Sequence, residues 1–404
     1  MTKTTPSKRF ATQLVHAGER KQPPMGRPVA TPIYASSAFT YDSMEDVDKV
    51  FSGEAGDYVY TRYGNPTIAA LQDALISLEA GTVACAYSSG MAALHAALFA
   101  CELGPGSTVL ASQDLYGASF DLLYKVFGVA GVKTATVDFN DLDALRAKVE
   151  ATKPTALLAE TISNPLLKVC DIAAVAEIAH SVGARLIVDN TFASPFLCQP
   201  LTLGADFVVH SATKYLGGHA DALGGVTVAR QETDRLALVS VMKLVGGIAS
   251  VWEAHQILRG IKTLGLRMER QCDNARALAE HFKDDPRLAR VHYPSLSSAA
   301  TTGLLERVLR APHAGALVSL DLKDNTKAAA FRFMNALELC VRLTSLGDVF
   351  TGVSHSASSS HREVSPAQRA RLGINDGLVR MSVGIEDVAD IRADIDQALA
   401  KSVV

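Results

Sequence analysis

A chain of 404 residues, 48% hydrophobic and 20% charged, has the make-up of a folded enzyme of about two domains and excludes a disordered or fibrous protein. Its net charge of −3, from 39 basic and 42 acidic residues, leaves no basic excess for nucleic acid. Six scattered cysteines without paired spacing fit neither a zinc site nor a disulfide framework and read as free thiols in a reducing cytoplasm.

The opening "MTKTTPSKRFATQ" lacks the apolar core of a signal peptide, and no apolar stretch is long enough to span a bilayer. A cytoplasmic location is expected. Residues 1–62 are rich in Pro, Gly, Ser and Thr and read as an extended arm lying on another surface, such as a second subunit. One short helix is expected in it at "SMEDVDKVF", with Ser43 as cap and Asp46 completing the box.

From about residue 63 to 255 the pattern alternates. "TIAALQDALISLEAG", "MAALHAALFACELG" and "IAAVAEIAHSVG" have helical period, while "TVACAY", "STVLAS", "KTATVDF", "TALLAE", "ARLIVDN" and "DFVVHSAT" read as strands. Short apolar runs alternating with helices predict an α/β domain with a mostly parallel sheet, which collects ligands at the C-terminal ends of its strands. Residues 256–404 change texture. "WEAHQILRGIKTLGLRMERQCDNARALAEHFK" reads as one long helix or two stacked ones, followed by strand candidates "GALVSLDL" and "LVRMSVG" and a last helix, a smaller α+β domain.

Polar residues gather where the strands end. "IVDN" contributes Asp189, "VVHSATK" contributes Ser211, Thr213 and Lys214, and "LLAETISNP" contributes Glu160 and Asn164. "AYSSGM" leads into a helix whose first residues, Gly90 and Met91, offer free N–H groups to a phosphate. Pyridoxal 5′-phosphate (PLP) needs this set together: a lysine for its aldehyde, an acid for its pyridine nitrogen and a cradle for its phosphate. Each residue has a plainer alternative: a structural Lys214, a helix-capping Asp189, a core Tyr116, a surface ion pair at Arg62, an internal one at Arg380. No GxxxxGK[ST] or strand-borne GxGxxG competes as a nucleotide site.

Seven motifs carry a resemblance: "YTRYGNPT", "AYSSGMAAL", "DLYGASF", "ETISNP", "IVDNTFASP", "SATKYLGGHAD" and "GLVRMSVGIED". In this order they resemble the Cys/Met-metabolism, or trans-sulfuration, family of PLP enzymes over nearly the whole chain. The resemblance implies PLP fold type I, the aspartate-aminotransferase-like architecture, and a homotetramer of close dimers. It implies that Lys214 forms the Schiff base, Asp189 pairs with the ring nitrogen and Tyr116 stacks on the ring. Gly90, Met91, Ser211 and Thr213 would hold the phosphate, with Tyr60 and Arg62 reaching it from the neighbouring subunit. Arg380, Ser345 and Asn164 would bind the α-carboxylate of an amino-acid substrate.

Three stretches depart from the family pattern. Ala118 stands where methionine γ-lyases commonly have cysteine, "SLGDVFTG" puts Phe350 where "SLGGVESL" has glutamate, and "HSASSSH" replaces "HPASMTH". The expected reaction is γ-elimination on a sulfur-containing amino acid, with a slight preference for cystathionine. γ-Replacement stays open, as do a β-lyase, an aminotransferase and a PLP-fold binding protein without catalysis. Phe350 is expected to give an apolar wall that favours a neutral γ-substituent over the distal ammonium of cystathionine, unless Asp348 binds that ammonium instead. Glu160 and Lys243 carry no assigned role.

Overall fold

Seven five-residue runs bounded by turns pair into one sheet: β1 (Val83–Tyr87), β2 (Thr108–Ser112), β3 (Lys133–Val137), β4 (Ala156–Glu160), β5 (Arg185–Asp189), β6 (Phe207–Ser211) and β7 (Gly225–Ala229). They belong to a computed structural model that describes Gly26, residues 28–362 and residues 364–402. The spatial order is β1-β7-β6-β5-β4-β2-β3, and every neighbouring pair is parallel except the two made by β7. β7 was hidden in the sequence because "GGVTVA" follows a glycine-rich turn and has no helix before it. Its place between β1 and β6 is a hairpin return rather than a crossover.

Both faces of this sheet are covered, so the central strands are apolar throughout instead of alternating. Val83, Cys85 and Tyr87 of β1 enter the core beneath the helix α3 (Gly90–Ala100), whereas Ala84 and Ala86 face the opposite core. That second core takes Leu71 and Leu75 of α2 (Pro66–Glu79), Leu145 of α4 (Leu142–Thr152) and Val175 of α5 (Ile172–His180). Each such aliphatic side chain, buried, contributes about 1.5–3 kcal/mol relative to exposure. Asn65, Ser89, Asp141 and Asp171 cap these four helices by accepting backbone N–H bonds.

Of the two readings for the helical stretch after residue 250, the structure has two helices, α6 (Val251–Ile261) and α7 (Leu264–Phe282), broken at Lys262–Thr263. A second sheet follows, with β8 (Leu288–His292), β9 (Leu317–Leu322), β10 (Val341–Arg342), β11 (Gly352–His355) and β12 (Leu378–Ser382) in the order β10-β11-β12-β9-β8. Only β10 and β11 are parallel. β12 lies inside it, and all five of its residues, Arg380 included, are buried. The described residues from Ile33 onward form one compact unit that holds both sheets.

Within the predicted arm, residues 1–25 lie outside the described residues. The expected helix forms as α1 (Met44–Ser52), with Ser43 Oγ accepting from Asp46 N and donating to its carboxylate. The arm also folds on itself. Phe39 N bonds Val59 O at 3.1 Å, Thr61 N bonds Ser37 O at 2.8 Å, and Ala38 bridges Tyr60.

Candidate active site

Parallel strands point their C-terminal ends the same way, and the register sets Glu160 of β4 beside Asp189 of β5, with Ser211 ending β6. These ends open into a cavity of about 480 Å³, a size suited to a cofactor with a small substrate. Of the residues predicted for the site, Gly90, Met91, Tyr116, Asn164, Asp189, Ser211, Thr213, Lys214 and Arg380 all line it. Ser345 joins them through its hydroxyl, 2.9 Å from Lys214 Nζ.

At one end of the cavity, helix α3 begins. Its N-cap Ser89 is spent on Ala92 N, so the N–H groups of Gly90 and Met91 have no partner within the helix. A side chain at residue 90 would put its Cβ 2.8 Å from Ser211 Cβ, and one at residue 225 would meet Ser89 O at 2.1 Å. Glycines at both positions therefore let β6, β7 and the helix start converge into an anion cradle. The Thr213 hydroxyl bridges Gly224 across the turn that follows Lys214.

Asp189 accepts Thr191 N at 2.9 Å, the local turn its N-cap alternative would make, yet no cationic side chain among the described residues bonds it. Burial raises its pKa above the usual carboxylate range, which a protonated ring nitrogen would reverse. Lys214 moves the other way. Burial first, and then the positive charge of Arg380, lower its pKa, favouring the neutral amine that attacks an aldehyde. These groups fit pyridoxal phosphate: acid, amine and anion cradle face one space.

Arg380 reaches the cavity from the second sheet. Its Nη1 donates to Asn164 Oδ1 at 2.9 Å and its Nη2 to Ser345 O at 3.3 Å, while Nε is buried without a partner. No carboxylate pairs with it, so the internal ion pair that sequence allowed is not made among the described residues. Burial pushes its pKa down to about 10. The guanidinium lies 5.6 Å from the centre of the Phe192 ring. A buried planar cation without an anion is a receptor for one.

Tyr116 is 40% exposed, so it is not a core residue. Its backbone N–H donates to Glu160 Oε1 at 2.6 Å, and Asn164 N donates to Glu160 Oε2 at 3.2 Å. Glu160 thus ties together the segments that present Tyr116 and Asn164. Sequence reasoning missed this, since a bond to backbone 44 residues away leaves no motif. Burial, then the adjacent Asp189, push the Glu160 carboxyl well above its ordinary pKa.

One expectation changes. Asp348 is 1% exposed and does not line the cavity, and neither does Phe350. The place beside Phe350 is already held by Glu386, whose carboxylate accepts Thr351 N and Thr351 Oγ1. Phe350 therefore gives this chain's own cavity no apolar wall, and Asp348 gives it no distal ammonium site. Ala118 lines a neighbouring cavity of about 500 Å³, which shares Tyr116, Ser359 and Ser360 with the first. Tyr60 and Arg62, expected at the neighbouring subunit's phosphate, do not line their own chain's Lys214 cavity. Arg62 donates to Lys243 O and stacks 4.8 Å from the Tyr63 ring, and Lys243 Nζ lies 5.1 Å from the same ring.

Residues 11–400 match the model of the family described as Cys/Met metabolism PLP-dependent enzyme. The chain belongs to that family. It is 42% identical over 395 residues to the L-methionine gamma-lyase of Pseudomonas putida, covering 97% of this chain and 98% of the relative. It is 41% identical over 396 residues to the cystathionine gamma-synthase of Mycobacterium bovis, covering 96% of each. The crystal structure of cystathionine gamma synthase from Xanthomonas oryzae pv. oryzae in complex with cystathionine superposes with a TM-score of 0.86 at 37% identity, covering 93% of each chain. The architecture of this family is PLP fold type I, and the chain is a PLP-dependent enzyme of γ-elimination or γ-replacement. Among the described residues no helix is long and apolar enough to cross a membrane, and none of the His, Cys, Asp and Glu side chains cluster as metal ligands.

Proposed function

We propose that this enzyme catalyses γ-elimination on a γ-thioether amino acid, releasing a thiol, 2-oxobutyrate and ammonia. Methionine is accepted at least as readily as cystathionine. One observation carries the choice: among the described residues, the acids lining the cavity are Glu160 and Asp189, and both already accept backbone N–H groups. No carboxylate is left there to attract a distal ammonium, whereas Ile162, Phe192, Leu223 and Leu346 offer apolar wall to a neutral substituent. The preference for cystathionine drawn from sequence gives way on that ground.

Bound pyridoxal phosphate supplies the electron sink that makes protons at Cα and Cβ removable. Arg380, steadied by Asn164, holds the substrate carboxylate in its fork. Ser345 keeps Lys214 Nζ directed into the site, where the lysine takes the Cα proton as general base. The Tyr116 hydroxyl gives a proton to the departing sulfur. γ-Replacement is the second reading, favoured by the adjoining cavity at Tyr116, which has room for an entering thiol. A product assay separates them. 2-Oxobutyrate from methionine is expected, with a kcat/KM at or above that for cystathionine. Pyruvate, or turnover only of an O-acyl-homoserine with added cysteine, would sink the proposal.

The working form is proposed to be a cytoplasmic homotetramer of close dimers in which Tyr60 and Arg62 serve the neighbour's phosphate. They are held apart from their own cavity and partly exposed, as that role requires. Arg62→Ala is expected to weaken cofactor retention. Mixed dimers of Arg62→Ala and Lys214→Ala subunits should regain activity, because one of the two hybrid sites then keeps both groups. Verified hybrids with no restored turnover would count against a shared site.

A further inference from the structure

Asp348 is 1% exposed, and both of its carboxylate oxygens lack a hydrogen-bond partner among the described residues. The segment carrying it runs along the turn after Lys214. Val349 N bonds Gly218 O at 3.1 Å, Gln271 Nε2 of α7 bonds the Asp348 carbonyl at 2.8 Å, and a Cβ on Gly347 would lie 2.6 Å from Tyr215 N. Ser345, three residues earlier, bonds Lys214 itself. The carboxylate is thus sealed under the catalytic turn.

A buried carboxylate held for structure would be expected to spend its charge on a nearby guanidinium. Arg267 of α7 is near enough to feel it but commits its donors elsewhere: Nη1 to Tyr215 O, Nη2 to Gly260 O and Nε to Thr263 Oγ1. The backbone N–H of Ala220 faces Asp348 without meeting it in hydrogen-bond geometry. The charged and titratable groups around it are then Lys214, His219 and Tyr215 from the turn and Arg267 from α7, with Arg380 of β12 acting on Lys214 from the other side. Of these, Lys214 is the one whose charge must change during the reaction.

We propose that Asp348 is a positioning residue for Lys214, the counter-charge that steadies the lysine nitrogen once it has taken up a proton. Lys214 acquires that proton within reach of the Arg380 guanidinium, and Asp348 is the acid that opposes it. The signs agree. Asp348 raises the Lys214 pKa while burial and Arg380 lower it, and Lys214, Arg267 and His219 pull Asp348 toward its ionised form against the effect of burial. The role rests on Lys214 being the cofactor lysine.

The test uses Asp348→Asn, which keeps the shape and removes the charge, and Asp348→Gly, which installs the residue of the related stretch "SLGGVESL". In the holoenzyme, the pH midpoint of the cofactor's absorption change reports the proton on the linked nitrogen. In the full chain stripped of cofactor, the pH dependence of Lys214 acetylation reports the free amine. Both midpoints are expected to fall by about one pH unit, the scale of a lost opposite charge in a partly buried site. Midpoints unchanged in both readouts, in whichever variant folds, overturn the proposal. An absorption shift without an acetylation shift also overturns it, since Asp348 would then act on the cofactor directly. An acetylation shift alone shows that Asp348 acts on the Lys214 amine while the cofactor sits on another lysine, which removes the reading on which this role rests and overturns it.

Discussion

Lys214→Ala is expected to lose at least about 10⁴-fold in kcat, the upper range for removing a single general base, with its covalent role lost as well. The phosphate cradle does not depend on the lysine: Gly90 and Met91 present their N–H groups from α3, and Asp189 is held by Thr191. The variant should therefore still retain pyridoxal phosphate, without the absorption of the lysine-linked form. Borohydride reduction of the wild type followed by peptide mapping should place the adduct on Lys214. An adduct on any other lysine, Lys243 included, would refute the assignment. Stability is expected to hold, since Lys214 makes one side-chain hydrogen bond, to Ser345, and its burial is a cost to the folded state.

Much of this site was legible because a parallel sheet brings the ends of its strands together whatever their separation in sequence. Asp189, Ser211 and Lys214 follow apolar runs, and reading those runs as parallel strands was enough to put their last residues around one space. Gly90 and Met91 were legible for a related reason, a helix start directly after a strand. Arg380 was harder. A charge inside "LVRMS" announces a partner, but the sequence does not tell an internal acid from a substrate, and only the structure shows that no acid among the described residues meets it.

What stayed hidden depends on contacts without a period. Glu160 acts through backbone N–H groups of Tyr116 and Asn164, which any residue could supply, so nothing in those side chains points back to it. Phe350 misled for the same reason. Its place in the resembling stretch "SLGGVESL" implies a cavity wall, but Thr351 pairs with Glu386 and Phe350 does not line the cavity. The hairpin strand β7 is apolar and short like its neighbours, and it pairs antiparallel with β6 after a glycine-rich connection without a crossover helix.

Arg380→Met is expected to separate activity from stability. In the wild type the guanidinium is buried with one unpaired Nε, has no anionic partner among the described residues and has its pKa lowered by burial, so the substrate-free protein bears a desolvation cost there. A substrate carboxylate relieves it with two charge-assisted hydrogen bonds. At about 1.5–3 kcal/mol each, these amount to roughly 10²- to 10⁴-fold in kcat/KM. Methionine of similar length can fill the same channel past Phe192 without bringing a charge into it. The variant should therefore lose roughly 10²-fold or more in kcat/KM. Its cofactor absorption should persist, and its Tm should be unchanged or higher. Arg380→Lys should recover little, because a point charge cannot reproduce the planar fork between Asn164 and Ser345. An arginine held for packing would give the reverse pattern, a fall in Tm with kcat/KM largely kept, and that outcome would remove Arg380 from the substrate site.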